Sequence, residues 1–492
     1  MRQMAILMAL FIPLITAISC YLIGRPVLRN WFTALGVLIT FGSSLTVAGQ
    51  ILTGQALTAM DGWLYIDALS AYLLVIIALI GLIAALYSIN YMQHEVEIGI
   101  IVPAQLATYY LFFHLFIFTM ILTVMANNLG LLWIGIEATT LTSALLVGFY
   151  KQKSSLEAAW KYIILCTVGI AFALLGVILT YYAAGQIESE SVRTLEWTFL
   201  LANKQQLDPQ VLKLAFIFIL VGFGTKAGLA PLHHWLPDAH SQAPSPVSAV
   251  LSGVLLNCAL YGVIRYHLLL SQVIGSQFSS NLLLVFGLVS MGVAVPFIYL
   301  QYDLKRLLAY SSVEHMGIIA VGIGLGGKLG LYGASLHFLN HAVAKSLLFF
   351  TAGSITQYYG TRQIARIRGA ITALPISGVL LFVGSLAITG VPPFNVFVSE
   401  FSIVSGGFAQ ERYVASGLFL LFISLIFAGF MYHVLRMVLG TKPNNLAIGR
   451  ESCLSVVAMG IPLVLILVLG LYIPSILDNM LSEVLVVLGG VK

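Results

Sequence analysis

Charge is what this sequence has least of: aspartate, glutamate, lysine and arginine together make up 8% of its 492 residues, against about 25% in an ordinary soluble domain. Hydrophobic residues supply 60%, and no polar stretch is long enough to fold by itself in water. These two absences exclude a soluble enzyme. The net charge of +5 is modest and requires no nucleic-acid partner. Cysteine is also scarce. Cys20, Cys166, Cys258 and Cys453 have no paired spacing, whereas a disulfide framework, a zinc site or an iron–sulfur cluster needs clustered thiols. They read as apolar fillers. No glycine-rich nucleotide or flavin fingerprint is found either. The chain is therefore expected to hold no metal, redox cofactor or nucleotide of its own.

What is present is a succession of apolar runs about 20 residues long, each enough to cross a hydrocarbon core about 30 Å thick. They fall near 4–23, 31–53, 66–90, 105–126, 128–149, 156–184 and 211–236, then 246–270, 281–300, 304–326, 329–358, 374–406, 412–439 and 454–476. The expected fold is an all-α polytopic membrane protein of about fourteen transmembrane helices, built as one membrane domain over 1–492. Within it, 1–104 holds the first three helices, and 441–492 holds the last one with an apolar tail from Met480 to Val491. The first run has the length of a signal sequence. However, Ala17-Ile18-Ser19 before Cys20 is a poor lipoprotein cleavage box, so a retained helix is expected.

Connections after odd-numbered runs carry twelve basic residues, among them Lys151, Lys305, Arg306 and Arg366; the other side carries seven, among them Arg193, Lys204 and Lys492. Basic loops stay in the cytoplasm during insertion. Both termini are then expected on the periplasmic side of an inner membrane.

Two runs are interrupted. The seventh reads Gly222-Phe-Gly-Thr-Lys226-Ala-Gly-Leu-Ala-Pro231, and the twelfth reads Thr389-Gly-Val-Pro392-Pro393-Phe-Asn-Val-Phe-Val-Ser-Glu400. Proline removes a backbone donor and clashes one turn back. A packing kink is the plain explanation; a matched pair of broken helices opening a polar path is the functional one. An echo with a similar offset links Lys161-Tyr-Ile-Ile-Leu-Cys-Thr-Val-Gly169 to Lys345-Ser-Leu-Leu-Phe-Phe-Thr-Ala-Gly353. An odd number of helices per copy inverts the second, so two inverted five-helix repeats are expected, helices 4–8 (105–270) and 9–13 (281–440).

An ionisable side chain at mid-bilayer costs at least about 2.5–3.5 kcal/mol, so it persists when paired, hydrated or used. Glu137 stands in the middle of the fifth run, Lys226 before the break in the seventh and Glu400 after the break in the twelfth. His337, His341 and Lys345 recur at i, i+4 and i+8, hence on one helix face. Lys305 opens the tenth run, and His315 lies about three turns along it. Each has a plainer role: a Glu–Lys pair as an interhelical tie, histidines as satisfied core groups, Lys305 snorkelling to headgroups. His233, His234, Asp238 and His240 follow the seventh run and suit a polar entrance better than a metal site. Arg265 and Arg436 are expected to anchor helix ends.

Lysine, glutamate and histidine suit proton transfer. Burial lowers a lysine pKa from about 10.4 and raises a glutamate pKa from about 4.3, while a nearby opposite charge reverses both. Histidine relays through its two nitrogens.

With these motifs assembled, the chain resembles the antiporter-like proton-pumping subunits. That family is shared by respiratory complex I, multisubunit sodium/proton antiporters and membrane-bound hydrogenases of the hydrogenase-4 and formate hydrogenlyase type. The resemblance runs from about Asp67 to Gly440. It rests on Trp133-Ile-Gly-Ile-Glu137, Gly224-Thr-Lys226-Ala-Gly-Leu-Ala-Pro231 with its extension to His240, Pro244-Ser-Pro-Val-Ser-Ala249, Asp303-Leu-Lys305-Arg-Leu-Leu-Ala-Tyr-Ser-Ser312 and His337-Phe-Leu-Asn-His341-Ala-Val-Ala-Lys345.

The resemblance implies that Glu137 pairs with Lys226 as an input, that Lys345, His341 and His337 form a central relay, and that Glu400 is the outlet. Lys161, His240, Asn257, Lys305 and His315 would complete a polar axis. It also implies other membrane subunits and a peripheral redox arm with iron–sulfur or nickel–iron centres, whose electron transfer drives protons, or sodium ions in the antiporter case. Asn257 stands where many relatives carry lysine or histidine, Glu400 where several carry lysine, and no long lateral helix follows the last run. These departures favour the hydrogenase-4 type. The alternatives are a sodium/proton antiporter subunit and a structural anchor.

Overall fold

A computed structural model of the chain describes residues 2–54, 56–185, 194–443 and 446–489. Every expected apolar run is helical. Helices α1 (Arg2–Leu22) and α2 (Pro26–Ile51) pair with each other and lean on α3 (Ala68–Glu97) and α4 (Gln105–Met125). Next come α5 (Leu129–Val147), α6 (Lys153–Ala183) and α7 (Pro209–Ala227), the last resuming as a short piece, Trp235–Gln242. They are followed by α8 (Ser245–Ile274), α9 (Gln277–Tyr299), α10 (Leu304–Leu325) and α11 (Gly327–Tyr359). Helix α12 is in two pieces, Pro375–Ile388 and Asn395–Ala409. Helices α13 (Tyr413–Val438), α14 (Cys453–Leu471) and α15 (Ser475–Val487) complete the order.

Among the described residues twelve helices, α1 to α10 with α13 and α14, are long and apolar enough to cross a membrane. The other two central helices fall outside that class: α11 carries polar side chains along its middle, and α12 is divided.

Side-chain caps set several helix starts. Asp67 accepts from the Ser70 amide at 3.0 Å at the head of α3, and Asn128, Asp208 and Asp303 do the same for α5, α7 and α10. Pro209 stands just inside α7, where its missing N–H costs nothing. The seventh helix ends at Ala227, earlier than its apolar run, because Gly228 takes a left-handed φ of 78° and caps it.

Three features were not foreseen. A hairpin of β1 (Leu57–Ala59) and β2 (Leu64–Ile66), with Leu57 opposite Ile66, precedes α3. The apolar tail is helical as α15 and packs on α3 and α11; residues 490–492 lie outside the described residues, as does Arg193. Cys453 is exposed at the head of α14, unlike the other three cysteines, which are buried.

Large apolar side chains cover the outer faces of the bundle. Trp31 on α2, Val285 on α9 and Val414 on α13 are each more than half exposed, which suits hydrocarbon and not water. The centre is formed by α8, α10 and α11, which are almost wholly enclosed. On those three helices Arg265, His267, Lys305, Glu314, His315, His337, His341 and Lys345 are buried, whereas Arg306 and Lys328, near helix starts, are exposed.

Candidate functional site

The two helix breaks are held by side chains from neighbouring helices. At the α7 break the Ala230 amide donates to Ser290 Oγ on α9 at 2.9 Å. At the α12 break Asn340 on α11 donates to Asn395 O at 2.7 Å, and Asn395 donates back to Asn340 Oδ1 at 3.1 Å. Backbone groups freed inside a membrane are thus satisfied within the protein, and polar side chains are drawn to mid-helix depth.

Around the first break, Lys226 is fully buried. Its ammonium donates to Thr140 Oγ1 at 2.9 Å and to the Tyr162 hydroxyl, and it lies 4.5 Å from the Tyr162 ring centroid and 5.8 Å from that of Trp235. Glu137 does not pair with it directly. Thr140 Oγ1 stands between the two, 3.2 Å from Glu137 Oε2, and Thr167 reaches Glu137 Oε1 at 3.4 Å. Glu137 is only partly buried and faces the outside of the bundle between α5 and α6. One hydroxyl therefore joins acid to base, and a threonine hydroxyl both donates and accepts. Trp133 fixes this corner by donating to Ile170 O on α6 at 2.9 Å.

Around the second break, His337, His341 and Lys345 line one face of α11, all fully buried. His315 Nδ1 lies 3.0 Å from His337 Nε2, and His337 Nδ1 lies 2.9 Å from Ser399 Oγ, so α10, α11 and α12 are joined by one hydrogen-bonded string. The His341 ring lies 5.2 Å from that of His315, with neither of its nitrogens partnered among the described residues. Lys345 donates to Leu308 O at 2.8 Å and to Ser311 Oγ on α10. Glu400 is buried beside Gly390, whose positive φ of 68° and bare Cα leave room for the carboxylate.

Between the two clusters, Asn257 on α8 donates to Gly253 O at 2.8 Å, and its Oδ1 is buried without a hydrogen-bond partner among the described residues. The His240 ring, with neither nitrogen partnered among the described residues, stacks on Phe349, one turn along α11 from Lys345. Buried polar atoms of this kind are ordinarily satisfied by ordered water. Lys305 is buried and donates to Ala243 O, so it does not snorkel. It lines a cavity of about 320 Å³ with Glu95, Tyr150 and Arg362 at the basic-loop end of the bundle.

Lys161 lies away from the axis. It is half exposed and pairs with Glu157 at 2.6 Å and Asp238 at 3.3 Å, whereas Lys345, in the segment whose sequence echoes it, is fully buried. The histidines near the α7 break form no metal-binding group among the described residues. Arg265 anchors within the protein: it grips Asp67 through two bonds of 2.6 and 2.8 Å and stacks on Trp197.

Two acids were missed. Glu314 is buried on α10, in the middle of an apolar run where its position alone was a signal. Glu95 is buried at the end of α3 and accepts from the Tyr150 hydroxyl at 2.7 Å.

A helical membrane bundle with two broken helices and buried lysines, glutamates and histidines is the architecture of an ion-translocating membrane subunit. Comparisons with known proteins make the class specific. The family model described as NADH:quinone oxidoreductase/Mrp antiporter, TM, matches residues 126–426, and complex I chain 5 N-terminus matches 59–99. The chain belongs to this proton-antiporter membrane family. It is 42% identical over 377 residues to the hydrogenase-4 component F homolog of Methylacidiphilum infernorum (isolate V4), covering 77% of this chain and 79% of that one. It is 28% identical over 509 residues to NADH-quinone oxidoreductase subunit N of Desulforudis audaxviator (strain MP104C), covering 97% and 98%. A chain of the membrane-bound sulfane sulfur reductase, an archaeal respiratory membrane complex, superposes with a TM-score of 0.88 at 25% identity over 99% and 98% of the two chains. A chain of the Mrp complex from Dietzia sp. DQ12-45-1b gives 0.85 at 19% identity over 98% and 96%, a likeness of fold.

Proposed function

We propose that this chain is the proton-translocating, antiporter-like subunit of a membrane-bound redox complex of hydrogenase-4 or complex I type. It has no redox centre of its own, and electron transfer in partner subunits drives it. The observation that carries this reading is the paired arrangement of a buried lysine at each helix break: Lys226 joined through Thr140 to Glu137, and Lys345 near the break that carries Glu400. Glu137 and Lys226 form the input. Asn257 orders the passage between α7 and α11, His341, His337 and Lys345 form the central relay with His315, and Glu400 delivers the proton outward. His240 and Lys305 belong to the basic-loop approach to that relay, and Lys161 to its surface rim.

In this reading α1 to α14 all cross an inner membrane with both termini periplasmic, and α4–α8 and α9–α13 form inverted repeats within one membrane domain. The partners are further membrane subunits and a peripheral arm with iron–sulfur or nickel–iron centres. The partly exposed Glu137 on the outer face supports a neighbouring subunit there, since a lone carboxylate facing lipid is costly.

The likeness of fold to the Mrp chain keeps a sodium/proton antiporter as the second reading. Glu137→Gln and Lys226→Met in the native complex decide the matter. Both are expected to assemble and to lower proton translocation by at least about tenfold. Undiminished translocation in assembled Lys226→Met favours a structural anchor. Sodium-dependent transport after reconstitution, without redox partners, favours the antiporter.

A further inference from the structure

Glu314 is a buried acid that the relay above leaves unused. It stands on α10 one turn beyond Ser311, the hydroxyl that holds the Lys345 ammonium. Residues three apart on a helix share a face, about 4.5 Å apart along its axis, so Glu314 follows Lys345 along the same side of α10. Its neighbour His315 bonds His337, which bonds Ser399, and Glu400 is next in sequence on the second piece of α12. Lys345 and Glu400 share no hydrogen bond or ion pair among the described residues, and nothing there hydrogen-bonds the Glu314 carboxyl, which is 4% exposed. An uncommitted buried carboxyl is expensive, and its neighbours on α10 meet both the lysine, through Ser311, and the α12 piece that carries Glu400, through His315, His337 and Ser399.

We propose that Glu314 carries the proton from Lys345 to Glu400, an inference that rests on the relay reading. The Lys345 ammonium gives its proton to the Glu314 carboxylate, leaving a neutral amine and a neutral carboxylic acid. The acid then passes that proton to the Glu400 carboxylate and returns to its anionic form. Charge and atoms balance with no further reactant, and a water or a rotamer change spans each gap.

The test uses the assembled complex in native membrane vesicles. Glu314→Gln is expected to lower redox-driven proton translocation at least about tenfold, and Glu314→Asp to recover much of it, because only the acid takes up a proton. Infrared difference spectra of the purified complex should show a protonated-carboxyl band that Glu314→Gln removes and Glu314→Asp shifts; a fixed counter-charge to Lys345 gives no such band. Full translocation in Glu314→Gln, or no such band in the unsubstituted complex, overturns the proposal. Lys345→Gln is measured alongside. If it stops translocation while Glu314→Gln does not, Glu314 alone is refuted; if neither stops it, the relay reading falls with it. Should Glu314→Gln not assemble, Glu314→Asp and the position of its band decide.

Discussion

Asp67 caps α3 and takes two hydrogen bonds from Arg265, which also donates to Ser70 at 2.7 Å, so its charge is tied down on every side. Burial by itself would push this carboxyl up, but the Arg265 guanidinium and the Ser70 bonds hold it below the ordinary carboxylate value. The stability it contributes is therefore complete above the unfolded value of about 3.9 and is lost only as pH falls through the lower folded value. Asp67→Asn strands Arg265 and is expected to cost about 3–5 kcal/mol at neutral pH, read as a lower melting temperature in lipid nanodiscs; an unchanged melting curve would refute the tie. Lys226 is different in kind, held by two hydroxyls and no carboxylate. Thr140→Val removes the link to Glu137 and is expected to slow translocation with little change in melting temperature. If the rate is unaltered, the hydroxyl is not on the route. Glu137 and Lys226 were legible as mid-run charges, but Thr140 was not, since a threonine in an apolar helix gives no signal until its neighbours are known.

Helices α6 and α7 meet at glycine. A Cβ on Gly222 would come within 2.5 Å of the Ala173 amide nitrogen and 2.6 Å of Gly169 O, both backbone atoms that cannot yield. Gly222→Val is expected to force the helices apart, with a loss of at least about 1–3 kcal/mol and little assembled complex by native gel; normal assembly would contradict the close approach. The break follows Lys226, at Gly228; proximity to proline marks where a helix weakens, and only backbone conformation fixes the residue at which it stops. The second break was legible from Pro392-Pro393, but its support by Asn340 and Asn395 was not, since those residues are 55 positions apart.

At the scale of the whole molecule, the outer faces carry bare leucine, isoleucine and phenylalanine, and the polar groups run through α8, α10 and α11. Purification from native membranes in mild detergent is expected to bring down iron–sulfur or nickel–iron subunits in fixed ratio; recovery of this chain alone would count against a redox complex. Composition by itself determined that the chain is a membrane helix bundle, because apolar runs of this length are stable nowhere else and leave few positions for charge. Position within those runs also singled out Glu137, Lys226, Lys345 and Glu400, of which the last three are buried in the protein. Which of them meet was decided by tertiary packing. A helix that is apolar on all sides has no amphipathic face to fix its rotation, so its neighbours alone set where its polar residues point. That is why Lys161 turns out to the surface, Glu137 reaches Lys226 only through a hydroxyl, and Lys345 meets α10 at Ser311, one turn from Glu314.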